Sequence, residues 1–231
     1  MKSFFRLSLT AIAFLFVFNI FAVTETKGQA ILNDILKRMD NNNKSLQTLR
    51  ANVAMDKFNS QLDEHDLYEG KAIYLPQAKS NAYVRIDWSK PVEESLAVVK
   101  KDYILYRPRL NQVIIGNVSK AQGSGKSNNA LAFINMSKAQ LKANYSITYI
   151  GQESISGAVQ TWHIQLTPKT AAGYKVADLW VDGDGMPRQM KVTENNKDTT
   201  TVLLTSIEKN VQIKGEAFVI NYPKNATIVK G

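Results

Sequence analysis

The segment Ala121-Gln-Gly-Ser-Gly-Lys-Ser-Asn-Asn-Ala130 holds the residue types of a phosphate-binding loop. Such a loop reads G-x-x-x-x-G-K-[ST] and cradles phosphates on backbone N–H groups at a helix start. Gly125-Lys126-Ser127 supplies the second half, but the first glycine belongs at position 120, which is lysine. No acidic metal partner at a strand end follows at a useful distance. The pattern gives a flexible connection, not a nucleotide site. Asp182-Gly-Asp-Gly185 opens like a calcium loop, yet the fifth position is Met186 and the twelfth Thr193, so the bidentate glutamate is missing. It reads as a hairpin turn.

The other reactive side chains are few. His163 alternates with Trp162 and Ile164 in a strand pattern and is expected to face solvent. His65 lies in the polar stretch Leu62-Asp-Glu-His-Asp66, where turn chemistry explains the acidic neighbours better than a metal does. The chain has no cysteine, so it has no thiol nucleophile, no disulfide and no site for lipid attachment. A G-x-S-x-G nucleophile elbow is also absent. No catalytic role, cofactor or metal is expected.

What remains must be done by shape and apolar surface. The chain of 231 residues opens Met-Lys-Ser-Phe-Phe-Arg and runs on through an apolar stretch from Leu7 to Val23, diluted by Ser8, Thr10 and Asn19. That is the pattern of an export signal, with small-residue cleavage pairs between positions 24 and 30. Residues 1–28 are read as signal and 29–231 as one soluble, exported, monomeric domain. Net charge is +9, and +7 once Lys2, Arg6, Lys27 and Glu25 leave with the signal. The basic residues are scattered and not interleaved with aromatics, which argues against a nucleic-acid partner.

Ala30–Asn43 carries Ile31, Leu32, Ile35, Leu36 and Met39 as one apolar stripe of an amphipathic helix. From Leu46 on, the pattern turns to alternation. Strands are expected at 49–59, 67–75, 82–88, 95–99, 103–107 and 112–118, then at 146–152, 160–167, 175–182, 188–194, 200–207 and 217–222. Between the two sets, Ala130–Lys142 suggests a second helix with Leu131, Ile134, Met136 and Leu141 on one face. Alternation puts Val84, Ile86 and Trp88 on one face, with Trp162, Ile164 and Leu166 and then Leu179 and Val181 lining it from two further strands. With Ile35, Leu36 and Met39 of the helix, these are the candidate ligand-binding residues. A curved sheet or open barrel around a ligand cavity and two sandwiched sheets with no cavity both fit.

Several segments then occur in one order: Ser45-Leu-Gln-Thr-Leu-Arg50, Glu69-Gly70, Tyr83-Val-Arg-Ile-Asp-Trp-Ser-Lys-Pro91 and Ile104-Leu-Tyr-Arg-Pro-Arg-Leu-Asn-Gln-Val113. Together they resemble the LolA-type periplasmic lipoprotein carriers over about residues 30–230. The resemblance implies an incomplete antiparallel β-barrel with a helical lid over an apolar cavity. It also implies a periplasmic, non-catalytic carrier of acyl chains, loaded by an inner-membrane release complex and unloaded at an outer-membrane receptor. A sensing or interaction module of the same fold is the alternative. Two departures stand out. The family's lid-tying arginine falls at Leu75, and its Asp-Gly turn, near Val99-Lys100, is not kept.

Overall fold

Alternation becomes twelve strands in one sheet. The computed structural model describes residues 9–76, 82–118 and 136–231, with side chains from Lys27 onward. The first six strands are β1 (Leu49–Asn59), β2 (Glu64–Leu75), β3 (Tyr83–Lys90), β4 (Glu94–Val99), β5 (Asp102–Arg107) and β6 (Gln112–Asn117). Then come β7 (Tyr145–Ile155), β8 (Val159–Pro168), β9 (Tyr174–Val181), β10 (Pro187–Glu194), β11 (Thr199–Lys209) and β12 (Thr227–Lys230). Their order is β12-β6-β5-β4-β3-β2-β1-β11-β10-β9-β8-β7, antiparallel throughout except for the parallel β12–β6 pair. Strands β7 and β12 keep one open edge each, so the sheet is an incomplete barrel and not a closed one.

Among the described residues, two helices accompany the sheet. Helix α1 runs Leu9–Ser45, so the expected helix from Ala30 is the end of a longer one. No proline interrupts the run ahead of it or the join. Helix α2 covers only Lys138–Asn144, because Ser137 stops it with a capping box shared with Gln140. The glycine-rich connection 121–130 and the start of the expected second helix lie outside the described residues. Among those residues, no helix is long and apolar enough to cross a membrane.

One expected strand is absent. Residues 217–222 begin in a 3-10 turn, Gly215–Phe218, and then cross the outer face of the sheet unpaired. Phe218 and Ile220 are buried against that face while Val219 between them is exposed. An extended strap lying flat on a sheet alternates with the same period as a strand, which explains the misreading. Arg85 fixes it by donating to the carbonyls of Ala217 and Val219, both at 3.0 Å.

A flat sheet from β3 to β8 would span roughly 29 Å at the usual strand spacing. Yet Ile86 of β3 and Leu166 of β8 share one apolar cluster with Ile35 and Leu36 of α1. The sheet must therefore curl around the helix, whose apolar stripe fills the hollow.

Candidate functional site

The site is the inner, concave face of the sheet and the helix seated in it. Ile35, Leu36, Ile164, Leu166, Leu179 and Val181 are fully buried, and Met39 and Ile86 nearly so. Val84, Trp88 and Trp162 are half-buried and pack against the same cluster. The eight residues chosen from the alternation thus share the inner face of the sheet, and the three from the helix pack into the same cluster. Ile31 is the exception among the helix residues expected to point inward: it is 39% exposed. The packed stripe runs through Leu32, Ile35, Leu36 and Met39, and Ile31 stands at its margin.

Sequence reasoning missed much of the floor. Val53 and Met55 of β1, Met190 of β10, and Val202 and Leu204 of β11 complete it. The same alternation marks them, but only the strand order shows that β1 and β11 join the two halves. Toward β6 the inner face continues through Leu96, Leu105 and Ile114, registered in one row with Ile86 and only half-buried. Apolar surface thus extends beyond the part that α1 covers.

The turn between β9 and β10 adds polar ties to the helix. Asp182 is 5% exposed, and its Oδ1 accepts from the N–H groups of Asp184 and Met186 at 3.0 and 2.9 Å. Its Oδ2 meets Arg188 Nε at 2.5 Å. That carboxylate sets the turn, which presents the Gly183 carbonyl to Arg38 Nη1 at 3.0 Å. Gly185, at φ +85°, lies so close to α1 that a Cβ there would overlap the Arg38 carbonyl. The Asp-Gly-Asp-Gly stretch is therefore a seat for the helix as well as a turn. Asn42 adds a contact to Met186 Sδ and accepts from Lys209 Nζ at 3.0 Å. Arg38 also lies over the Trp162 ring, 5.2 Å from its centre.

Position 75 plays no part in this. Leu75 pairs with Tyr83, which packs on Phe218 of the outer strap, so both point away from α1. An arginine there could not tie the helix, and the expectation of a lid left untied by Leu75 is corrected: the tie comes from the β9–β10 turn.

A second tie joins the helices. Asp40 pairs with Lys44 at 2.6 Å and accepts from the Lys138 N–H at 3.2 Å. The hydrogen bond from Lys44, then that from Lys138, holds its carboxyl below the usual carboxylate range. The sign follows: a lowered acid stabilises the fold above its unfolded pKa, and that contribution fades as pH falls through the folded value. Below about pH 4 the α1–α2 tie should loosen, and the Lys138 amide should exchange faster than intrinsic chemistry requires. An amide equally protected at about pH 3 and pH 7 would contradict this.

The polar clusters lie elsewhere. His163 is on the outer face but not freely solvated: its ring is stacked on Trp180 at 4.3 Å. Its Nδ1 stands 2.5 Å from Glu153 and its Nε2 2.9 Å from Asp178. His65 opens β2, with Nδ1 2.8 Å from Asp56 on the surface. Among the described residues, no group of three or more acidic or histidine side chains could hold a metal. A cleft of about 720 Å³ also lies on the outer face, bordered by Lys71, Arg85, Asp87 and Asn221.

This architecture defines a class: an open, curled antiparallel sheet that shelters an amphipathic helix in its hollow. Residues 80–221 match the family model of the outer membrane lipoprotein carrier protein LolA, and the chain belongs to the LolA family. No curated protein matches it. Among solved structures, an uncharacterized conserved protein from Thermus thermophilus is similar with a TM-score of 0.55 at 15% identity, covering 87% of this chain and 99% of that one. MucB is similar with a TM-score of 0.56 at 11% identity, covering 83% of this chain and 63% of MucB, so this chain spans less than two thirds of it. The Pseudomonas aeruginosa MucA/MucB complex gives a TM-score of 0.50 at 11% identity, covering 81% of this chain and 60% of that one. At such identities the likeness is one of fold.

Proposed function

We propose that this protein is a non-catalytic periplasmic carrier that shields the acyl chains of lipoproteins or lipids on their way to the outer membrane. The observation that carries the reading is one apolar concave face, covered in part by an amphipathic helix. An acyl chain of about fifteen CH₂ groups costs roughly 12 kcal/mol to expose to water, as an upper bound. A diffusing carrier must hide that surface and still give it up. Helix α1 meets both needs by occupying the hollow when it is empty and leaving when a chain enters, so that the apolar face of the sheet is covered in either state. The release complex and receptor that the family resemblance implies would act as donor and acceptor.

Residues 1–28 then serve as the export signal and 29–231 as the carrier domain. N-terminal sequencing of the exported protein should find a start between Glu25 and Ile31; a membrane-bound form still beginning at Met1 would contradict this. For the carrier itself, lipid-stripped protein should bind a single-chain apolar probe. Trp88 and Trp162 emission should shift to the blue as the chain packs against them. Saturating probe without bound mass or spectral shift would overturn the reading. MucB, in contrast, is found in complex with MucA. Stable capture of a membrane-protein segment, with no lipid bound, would instead favour a sensing module.

A further inference from the structure

We infer that the concave face ends, at the β2–β5 rim, in a site for a zwitterionic lipid head built by Tyr68, Trp88, Glu94 and Arg107. The inference rests on the carrier reading above and adds to it which ligand the hollow prefers and which way round it lies.

Strand register shows why the site is unusual. Ile86, Leu96, Leu105 and Ile114 form one inward row across β3–β6, and every member is apolar. Two residues along, the inward row contains Trp88 paired with Glu94, and Glu94 lies beside Arg107. Charges thus turn inward only where the hollow meets solvent. Period-two alternation could have kept this row apolar, and an inward ion pair loses hydration in exchange for its attraction.

The pair is also incomplete. Glu94 Oε1 stands 3.1 Å from Arg107 Nε, but that nitrogen is buried and makes no hydrogen bond, so the carboxylate lies off its N–H axis. A guanidinium in this state has donor capacity to spare. Beside it, Trp88 meets Tyr68 edge-on at 5.6 Å, and Lys57 Nζ lies 5.0 Å from the centre of the Tyr68 ring. Burial, then the negative fields of Asp66 and Glu94, push the Tyr68 hydroxyl upward, which places these groups within electrostatic reach of one another. Tyrosine and tryptophan at such a boundary have an apolar body for a chain and a polar tip for a head.

The charges select the head. Lys57 and Arg107 balance Asp66 and Glu94. A purely anionic head would meet the Glu94 carboxylate next to its guanidinium, and a neutral head would leave the Arg107 donor unmet. A phosphate with a tethered ammonium satisfies both signs. The phosphate meets Arg107, while the ammonium faces Glu94 and the aromatic rings. The acyl chain then runs inward along Ile86 and Leu96.

The test uses lipid-stripped mature protein and three single-chain probes of equal chain length, each below its micelle concentration. They are lysophosphatidylethanolamine (zwitterionic), lysophosphatidylglycerol (anionic) and monoacylglycerol (neutral). Wild type should bind the zwitterion about tenfold more tightly than either other probe, as expected for one charged hydrogen bond. Arg107→Gln should lose that factor and keep its monoacylglycerol affinity, which also shows that the variant is folded. Glu94→Gln should shift preference toward the anionic probe. If Arg107→Gln loses monoacylglycerol as well, Glu94→Gln decides, and an unchanged preference for the zwitterion there overturns the site. Equal binding of all three probes by wild type, or preference for the anion, overturns the site and leaves the carrier reading standing. A wild type that binds none contradicts the carrier reading itself.

Discussion

Replacing Ile35 by Asp should expel α1 from the hollow and cost about 3–5 kcal/mol of stability. Ile35 is fully buried at the centre of the stripe, among side chains that offer a carboxylate no partner. An unpaired charge in such a place is among the most costly of single changes. The chain can relieve it by letting the helix swing into water, so the cost is capped by the apolar contacts of α1. Two readings should therefore move together. The urea midpoint should fall, and an apolar fluorescent probe should bind the uncovered sheet more strongly than it binds wild type. An unchanged midpoint would show that this helical face is not packed as described.

Gly185→Val should produce the next largest effect, by a different route. A valine must adopt φ +85°, where an L residue costs roughly 1–2 kcal/mol and a branched one more. Its Cβ would also overlap the Arg38 backbone, and backbone on both sides cannot yield as a flexible side chain can. Either the turn or the helix must move. Amides of α1 around Arg38 should lose exchange protection, while those of β1 and β11 at the middle of the sheet should keep theirs. Equal protection in variant and wild type would mean that the helix does not depend on this seat.

How far the sequence foretold this depends on which forces were local. Strand β1 was read from Leu49 to Asn59 as the structure has it, because alternation is a property of the strand itself. Strand β2 begins at Glu64, three residues earlier than expected, because pairing with β1 carries the polar stretch around His65 into the ladder. The inward faces of β3, β8 and β9 were legible for the same reason, since a slip of one residue would bury charges. The Phe218–Ile220 strap was not legible, because period two cannot distinguish pairing at an edge from lying across a face. Nor was the helix seat. Asp182-Gly-Asp-Gly185 is marked as a turn by its residues, but its contact with Arg38 spans about 145 positions of sequence. The rim pair Glu94–Arg107 likewise appears only when β4 and β5 are set in register.

The central claim is that α1 must leave the hollow before an acyl chain can enter. Its most direct test pins the helix in place. Arg38 and Asp184 are both exposed, and Arg38 contacts the turn that contains Asp184, so cysteines at these two positions can be joined by a short bismaleimide. The chain has no native cysteine to compete for the reagent. Binding of a single-chain lipid is then compared between the linked protein and the same double variant capped with a monofunctional maleimide. The account predicts that the capped protein binds and the linked protein does not. Equal binding by both would contradict it.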